Sequence, residues 1–164
     1  MKKYITTIIV CIMFTAGLSL LLYPFVSNQW NTYRQSQLIT TYEEAVTEME
    51  ETGRVDYKAE WVKAQNYNDD LQPYILPDSF STAEVPEEGS EVYRSCLNLT
   101  EDGMMGYVQI PKINVKIPIY HTTSDEVLQK AAGHLAGSSL PVGGEGTHAV
   151  ISAHRGLPSA ALFT

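Results

Sequence analysis

The chain has 164 residues, 44% of them hydrophobic and 18% charged, which is the composition of a folding protein with room for one domain plus accessory segments. The formal net charge is −8, and no acidic residue occurs before Glu43, so nucleic acid is excluded as an expected partner. Two cysteines, Cys11 and Cys96, do not make a disulfide framework.

The first element is an apolar run of 22 residues, Ile5 to Val26, which is long enough to cross a bilayer as a helix. The run exceeds a typical signal-peptide core and no Ala-x-Ala site follows it, so an uncleaved signal-anchor is predicted rather than a signal peptide. Lys2 and Lys3 precede the run, which places the N-terminus in the cytoplasm and everything after Ser27 outside the cell. An aromatic belt at the outer interface is predicted from Tyr23, Phe25 and Trp30.

The next stretch, from Gln29 to about Leu71, has helical periodicity and contains no proline and a single glycine, Gly53. Apolar residues recur at helical spacing on both sides of that glycine, at Leu38, Tyr42, Ala45 and Met49 and then at Tyr57, Trp61, Ala64 and Tyr67 or Asn68. Two amphipathic helices with a break near Thr52-Gly53 are therefore predicted. Their expected role is to pack on the following domain or to space it from the membrane.

Pro73 to about Leu99 interrupts this pattern with three prolines and an acidic patch over residues 84–89. On composition alone this stretch is a linker. It also contains the sequence Leu76-Pro77-Asp78-Ser79-Phe80, to which a family resemblance gives a second interpretation below.

From Gly106 to Tyr120 apolar and polar residues alternate on both sides of a Pro-Lys-Ile-Asn turn, which predicts two antiparallel strands. Pro118 implies an edge strand or a bulge. A short helix capped at residues 123–126 follows, with Gly133 as its expected end. Strand, strand, helix and strand suit a mostly antiparallel barrel with helices on its rim.

The last predicted strand is Thr147 to Ala153, a buried β-branched and small-apolar segment between two glycine-containing turns. His154 lies where this strand stops. A histidine at a strand end is more often a hydrogen-bonded surface or core residue than a catalyst. It is also a catalytic placement, because imidazole titrates near working pH and rigid backbone fixes its position.

The C-terminal residues carry a resemblance that weighs on this choice. The run from Gly133 to Gly144, then Thr147-His148, then Ser152-Ala153-His154-Arg155-Gly156-Leu157-Pro158-Ser159-Ala160, resembles the sortases, and looks most like the class C, pilin-polymerising enzymes of Gram-positive bacteria. The resemblance spans roughly residues 30–164 and is most specific from Gly106 onward. It implies a mainly β fold with N-terminal helices, namely a partial sortase-type β-barrel preceded by a transmembrane helix.

Sortases are cysteine transpeptidases that need no cofactor. The resemblance implies cleavage of a Leu-Pro-x-Thr-Gly-like sorting signal between threonine and glycine, followed by transfer of the acyl group to a lysine amine on a pilin or other surface protein. His154 matches the family histidine, the acid and base of the reaction. In the family the cysteine ends a later strand, in a Thr-x-Thr-Cys-like motif, and the arginine lies on the strand after that. Those two roles are matched by none of Cys11, Cys96 and Arg155.

The resemblance also extends to Leu76–Phe80, which is similar to the lid of class C sortases. Asp78 would pair with the site arginine and Phe80 would cover the cysteine. Ser79 stands where the family commonly has proline, so the lid is expected to be less rigid here.

The residues are therefore expected to form the N-terminal portion of a class C sortase: an anchor over 1–27, helices over 28–71, a lid or linker over 72–103, and the first half of the barrel over 104–164. Such a portion, whether from a truncated gene, a sequencing fragment or a frameshift, is expected to be inactive alone. The expected location is the cell membrane, crossed once, with the bulk extracellular and a pilin as partner.

Two other classes of protein stay open on the sequence. A membrane-anchored interaction protein would need no catalytic group. A metal-dependent hydrolase would use the histidines, although they show neither a Cys-x-x-Cys pair nor a His-Glu-x-x-His helix, so no metal site is predicted among His121, His134, His148 and His154.

Overall fold

The computed structural model describes residues 2–71, 89–155 and 162. The elements in chain order are α1 (Lys2–Glu51), α2 (Tyr57–Asp70), α3 (Glu91–Ser95), β1 (Met104–Ile110), a 3₁₀ turn (Pro111–Ile113), β2 (Val115–His121), α4 (Asp125–Leu128), β3 (Ala132–His134) and β4 (Ile151–Ser152). The predicted lid residues Asp78 and Phe80 lie outside the described residues.

Helix α1 is a single helix of 50 residues that carries the apolar run directly into the amphipathic stretch, with Pro24 inside it. By its length and composition its apolar part is long enough to cross a membrane, a property that a signal sequence shares. The side chains of the predicted aromatic belt, Tyr23, Phe25 and Trp30, are all exposed on the surface of α1. Since no turn separates the apolar run from the rest of α1, the run and the amphipathic part share one helix axis.

The predicted helix break near Thr52-Gly53 is confirmed. Gly53 adopts a left-handed φ of 61°, and the Arg54 N–H donates to the Met49 carbonyl, as at many helix C-termini. Helix α2 begins after Asp56, whose carboxylate accepts hydrogen bonds from the first free amides of the helix, those of Lys58 and Ala59.

The strands form one sheet in the order β1-β2-β3-β4, with β1 and β2 antiparallel, β2 and β3 parallel, and β3 and β4 antiparallel. The predicted antiparallel pair over residues 106–120 is confirmed, and a bulge lies between Met104 and Gly106. β3 pairs with β2 only from Ile119 onward, so among the described strands Pro118 is paired with β1 alone. The missing N–H of proline costs no ladder bond on the open side. Among the described strands the sheet stays open, a partial barrel.

Two predictions about this sheet are wrong. The strand expected over Thr147–Ala153 is only Ile151–Ser152 and is not buried, because the backbone of residues 148–150 bonds to the loop after β3 instead of to a strand. Gly133, expected to end a helix, lies in β3, and α4 already ends at Leu128. A Cβ at position 133 would collide with the Thr122 carbonyl oxygen, so glycine is needed there for close strand packing.

Helices cover both faces of the sheet, and alternation along β2 decides which residues meet which helix. On the α1 face, Tyr120 packs with Ile39 of α1 in a cluster completed by Met104 and Ala131. On the α2 face, Ile117 and Ile119 pack with Ala64 of α2 in the larger cluster, which also contains Tyr93, Cys96, Met105, Ala132, Ala136, Leu140 and Leu162.

The predicted apolar stripe of α1 is displaced by about one residue at its deepest point, whereas that of α2 is confirmed at Ala64 and Tyr67 but not at Trp61. On α1 the deepest residues are Gln35 and Ile39, whereas Leu38 is exposed. On α2 Ala64 is fully buried but Trp61 is half exposed, because the helix turns Ala64 and Asn68 toward the sheet. Periodicity therefore identified both helices and the buried face of α2 from Ala64 onward, but it misplaced the deepest position on α1.

Candidate active site

His154, the predicted catalytic residue, lies two positions after β4 and is half-buried, while the next residue, Arg155, is exposed. β4 is held by antiparallel pairing with β3, in the register Gly133 with Ser152 and His134 with Ile151. The position of the His154 imidazole therefore depends on how firmly β3 and the loop after it hold this short strand.

Two serines fasten the segment that leads into β4. The Ser138 hydroxyl accepts from the Val150 N–H at 3.2 Å and donates to the Leu135 carbonyl at 2.7 Å. The Ser139 hydroxyl accepts from the His148 N–H at 3.1 Å, and the Ser139 N–H donates to the His148 carbonyl at 3.1 Å. These side chains replace the ladder that a neighbouring strand would have supplied, so the segment stays ordered without being a strand.

Beneath this loop lies a buried group of rings that we call the tyrosine hub: Tyr93 of α3 with His134 of β3 and His121 of β2. The ring centroid of Tyr93 is 5.6 Å from that of His134 and 5.0 Å from that of His121. The Tyr93 hydroxyl lies 3.0 Å from His134 Nδ1 and 3.0 Å from the His134 carbonyl oxygen, and it accepts from the Thr122 N–H at 3.0 Å. A single hydroxyl thus joins α3, β3 and the turn after β2.

The hydrogen bonds of His134 define its tautomer. Its Nε2 lies 2.9 Å from the Ser139 carbonyl, which accepts only, so Nε2 carries the proton and the lone pair of Nδ1 faces the Tyr93 hydroxyl. The single proton of that hydroxyl is shared between Nδ1 and the His134 carbonyl oxygen, each 3.0 Å away. Burial lowers the pKa of the His134 imidazole, although the hydrogen bond to the Ser139 carbonyl favours the charged form. Burial also raises the pKa of Tyr93 to about 12. Both groups are neutral at physiological pH, which suits a structural role.

His121 and Cys96 belong to the same buried region. His121 Nδ1 lies 3.0 Å from the Gly103 carbonyl and Nε2 lies 2.9 Å from the Cys96 carbonyl. Cys96 is fully buried, and that burial raises the pKa of its thiol. A buried thiol with a raised pKa is a poor nucleophile, which agrees with its position in the chain ahead of β1.

The metal-hydrolase alternative finds no support in this geometry. The ring nitrogens of His121 and His134 already face protein hydrogen-bond partners. His148, in the segment that precedes β4, is exposed. Within the described ranges no three histidine, cysteine or acidic side chains are grouped as metal ligands.

Helix α2 reaches the same loop through Asn68. Its amide oxygen accepts from the Leu140 N–H at 2.7 Å, and its amide nitrogen donates to the Leu140 carbonyl at 3.3 Å. These two hydrogen bonds join α2 to Leu140, the residue that follows Ser139. A continuous set of contacts therefore runs from α2 through Leu140 and the neighbouring Ser138 and Ser139, which we call the serine loop, to the segment that carries His154.

These supporting residues, Asn68, Tyr93, Ser138 and Ser139, were not found from the sequence. A tyrosine in a short helix and an asparagine near the end of a longer one carry no local signal of partners 41 and 72 residues away. In chemical terms, the arrangement offers a half-buried imidazole on a braced strand end, able to move a proton. It contains no accessible thiol among the described residues, apart from Cys11 in the apolar part of α1.

Comparison with known proteins gives this arrangement a context. A family model described as the sortase domain matches residues 108–164. Among solved structures the chain is similar to sortase C1 from Streptococcus agalactiae (43% identity, TM-score 0.63), with 77% of this chain and 62% of that one covered. It is likewise similar to Streptococcus pneumoniae sortase C (40% identity, TM-score 0.59, 77% and 60% covered), a structure described as informing catalysis and pilin substrate specificity.

A third similar structure is a lid mutant of sortase A from Corynebacterium diphtheriae, at 34% identity and a TM-score of 0.52, with 65% of this chain and 55% of that one covered. No curated protein matches the chain. The chain spans about three fifths of the length of the two streptococcal sortases, at 60% and 62%.

Proposed function

The chain belongs to the sortase family, and from that premise we propose that it is the membrane-anchored N-terminal part of a class C sortase, a cysteine transpeptidase that joins pilin subunits. The observation that carries the proposal is the half-buried His154 two residues after β4, in a chain that is 40% identical to a solved sortase C with 77% of its length covered. The proposed substrate is a protein with a Leu-Pro-x-Thr-Gly-like sorting signal, and the acceptor is a lysine amine on a pilin.

In this reaction the proposed task of His154 is to move protons. A thiolate attacks the amide carbon, and the imidazolium donates its proton to the departing amine. The imidazole then takes a proton from the incoming lysine amine as the acyl group is transferred. The serine loop and the β3–β4 pair brace the backbone that leads to His154, which supports a fixed starting point for the ring in both steps.

The thiol and the cation of the site are proposed to come from the part of the sortase fold that these 164 residues do not span. Cys96 does not suit the task, because it is fully buried, its thiol pKa is raised and its carbonyl is engaged by His121. Cys11 lies in the apolar part of α1. Arg155 is exposed beside the half-buried His154.

A lid formed by Asp78 and Phe80 stays a proposal from the sequence. Its support is the resemblance of Leu76–Phe80 to the lid of class C sortases and the similarity of this chain to a sortase from which a lid mutant was made. Alanine at both positions is expected to raise thiol labelling of the site cysteine in the complete enzyme. Unchanged labelling would assign this loop to a linker.

The experiment for the function is complementation. The 164-residue protein is purified in detergent and mixed with a separately made C-terminal segment of a sortase C that carries the family cysteine. We expect cleavage of a Leu-Pro-x-Thr-Gly peptide only from the mixture, and a loss of about 10²- to 10⁴-fold with His154→Ala, the typical range for a general acid and base.

His148→Ala is the matched control, since His148 is an exposed histidine six residues earlier in the same segment, and its cleavage rate should stay unchanged. Equal rates for His154→Ala and the parent mixture would remove His154 from the mechanism. Cleavage by the 164 residues alone, abolished by Cys96→Ala, would show that the nucleophile has been misassigned.

A further inference from the structure

The part of α1 just beyond the apolar run carries a set of exposed aromatic side chains on one side of the helix. Val26, Trp30 and Tyr33 follow one another at i, i+4 and i+7, the spacing of a single helix face. Trp30 is 61% exposed and Tyr33 56%, and their ring centroids are 6.2 Å apart. Together with Phe25 and Gln29 they line a shallow apolar groove. We call Val26, Trp30 and Tyr33 the aromatic face.

The aromatic face lies opposite the side of α1 that binds the sheet. Gln35 and Ile39 are the buried residues of α1, and the Gln35 amide donates to the Lys130 carbonyl at 3.1 Å. At 3.6 residues per turn, Gln35 is rotated about 200° from Tyr33, which puts the two on opposite sides of one uninterrupted helix. The sheet therefore cannot cover the aromatic face.

We propose that the aromatic face lies on the headgroup region of the bilayer, so that α1 leaves the membrane at a slant and holds the sheet on its far side. This inference rests on the proposed membrane anchor and adds an orientation to it. The occupant is a lipid surface because the face is continuous along the helix with the apolar run that ends at Val26. Tryptophan and tyrosine are the residues that favour the membrane–water interface.

The charges along α1 agree with this assignment. Arg34 is the only charged residue between Lys3 and Glu43, and a cation beside Tyr33 suits an anionic headgroup. Further along the same face the residues become acidic, with Glu44 and Glu48. Lipid phosphates repel carboxylates, so the contact with the bilayer ends before Glu44.

The length of the apolar run and the position of Tyr33 are both compatible with one tilt of roughly 25°. The run of 22 residues is about 33 Å long as a helix and the hydrocarbon core is about 30 Å thick, so the run fits at roughly 25° from the normal. Tyr33 lies about 10 Å along the axis beyond Val26, above an interfacial layer of roughly 5 to 7 Å per side. The Tyr33 side chain reaches about 6 Å from the helix axis. A tilt of about 25° toward the aromatic face therefore brings it down to the interfacial layer.

Tryptophan depth in proteoliposomes tests the orientation. In a Trp61→Phe background, a single tryptophan is placed at position 30 (native), at 33 (Trp30→Phe with Tyr33→Trp) or at 31 (Trp30→Phe with Asn31→Trp). The vesicles contain phosphatidylcholine and phosphatidylglycerol, with nitroxide quenchers at headgroup or acyl-chain depth. Position 31 is the discriminating control, because it is closer to the apolar run than 33 but lies on the opposite side of the helix.

With the aromatic face on the bilayer, the tryptophan at 33 is expected to emit at shorter wavelength and to be quenched by headgroup nitroxide more than the one at 31. An upright helix gives the reverse order, and that result would overturn the proposal. Extraction with alkaline carbonate is measured on the same vesicles. A protein that washes off refutes the anchor, whereas a retained protein with position 31 deeper than 33 refutes only the orientation.

Discussion

The two faces of the sheet are held to their helices by different means. On the α2 face the contact is buried and polar as well as apolar: Tyr93 and His134 are completely buried, and Asn68 bonds both backbone groups of Leu140. On the α1 face the contact is a small apolar cluster around Ile39, with a hydrogen bond from the buried Gln35 amide to the Lys130 carbonyl and an ion pair at the surface. Removing a buried partner costs more than removing an exposed one, so the α2 face is the one that fixes the site.

This difference also separates two tasks. The α2 face contains the tyrosine hub and the serine loop, which brace the strand end that carries His154. The α1 face connects the sheet to the helix that contains the apolar run. Loosening the first should alter the site, whereas loosening the second should alter mainly the attachment of the sheet to α1.

The largest effect is expected from Tyr93→Phe. Loss of the hydroxyl leaves the Thr122 N–H and His134 Nδ1 without their buried partner, at about 1 to 3 kcal/mol for each unpaired group. We expect the free energy of unfolding, measured by denaturant titration in detergent, to fall by about 3 kcal/mol. Tyr57→Phe is the control, because the Tyr57 hydroxyl donates to the Val46 carbonyl at an exposed position. Equal losses for the two variants would contradict the contrast between the faces.

The second effect is a pH dependence that arises in the tyrosine hub. Burial lowers the pKa of His134, so the unfolded chain takes up a proton near pH 6.5 while the folded chain stays neutral. The stability associated with neutral His134 is therefore complete above about pH 6.5 and declines as the pH falls toward the lower folded pKa, by at most about 1.4 kcal/mol per pH unit. Unfolding measured from pH 7.5 to 5 checks this slope.

His134→Gln should flatten that pH slope, and His148→Gln, at an exposed position, should leave it as in the parent. An NMR titration of the parent chain gives a second measurement that needs no variant. If the His134 ring takes up its proton at the same pH as an unfolded peptide, its neutral hydrogen-bonded state is not what stabilises the hub.

The sequence determined the elements better than their partners. Alternation over residues 106–120 predicted a real strand pair, and Gly53 predicted a real helix end, because both signals are local. The strand expected over residues 147–153 was wrong, since composition does not tell whether a neighbouring strand or the Ser138–Ser139 hydroxyls will satisfy the backbone. The predicted His154 lies half-buried at the end of β4, and its role stays a proposal.

The tyrosine hub could not be predicted for the same reason. The Tyr93 hydroxyl meets His134 across 41 residues and Asn68 meets Leu140 across 72, and periodicity is blind to such separations. Only the family resemblance, which rests on whole sequence motifs, indicated how segments far apart in the sequence are arranged in the fold.

A third, smaller effect is expected on the α1 face from Gln35→Met. The side chain keeps its length and its burial, but the Lys130 carbonyl loses its donor, at about 1 kcal/mol. Gln37→Met, at an exposed position two residues later, should change nothing. Unfolding in detergent measures both variants. A loss for Gln35→Met as large as that for Tyr93→Phe would mean that both faces hold the sheet equally.

The smallest effect is expected from the surface pair that also joins α1 to the sheet. The Lys116 ammonium donates to the Glu43 carboxylate at 2.9 Å and lies 4.3 Å from the centroid of the Tyr107 ring. Hydrogen bonds from Lys116 first, and from Tyr107, lower the pKa of Glu43. The stabilisation is therefore present above the ordinary glutamate pKa of 4.5 and is lost as the pH falls through the lower folded value.

Because both side chains of this pair are partly exposed, 39% for Lys116 and 44% for Glu43, solvent and salt screen the attraction. Glu43→Gln should therefore lower the unfolding midpoint less than Gln35→Met does, and the difference from the parent should vanish at about 1 M salt, where the Debye length is about 3 Å. Glu44→Gln, on the exposed side of the same turn, is the control for net charge. A loss for Glu43→Gln that persists in high salt would show that the α1 face is held by a desolvated ion pair, and the contrast with the α2 face would then disappear.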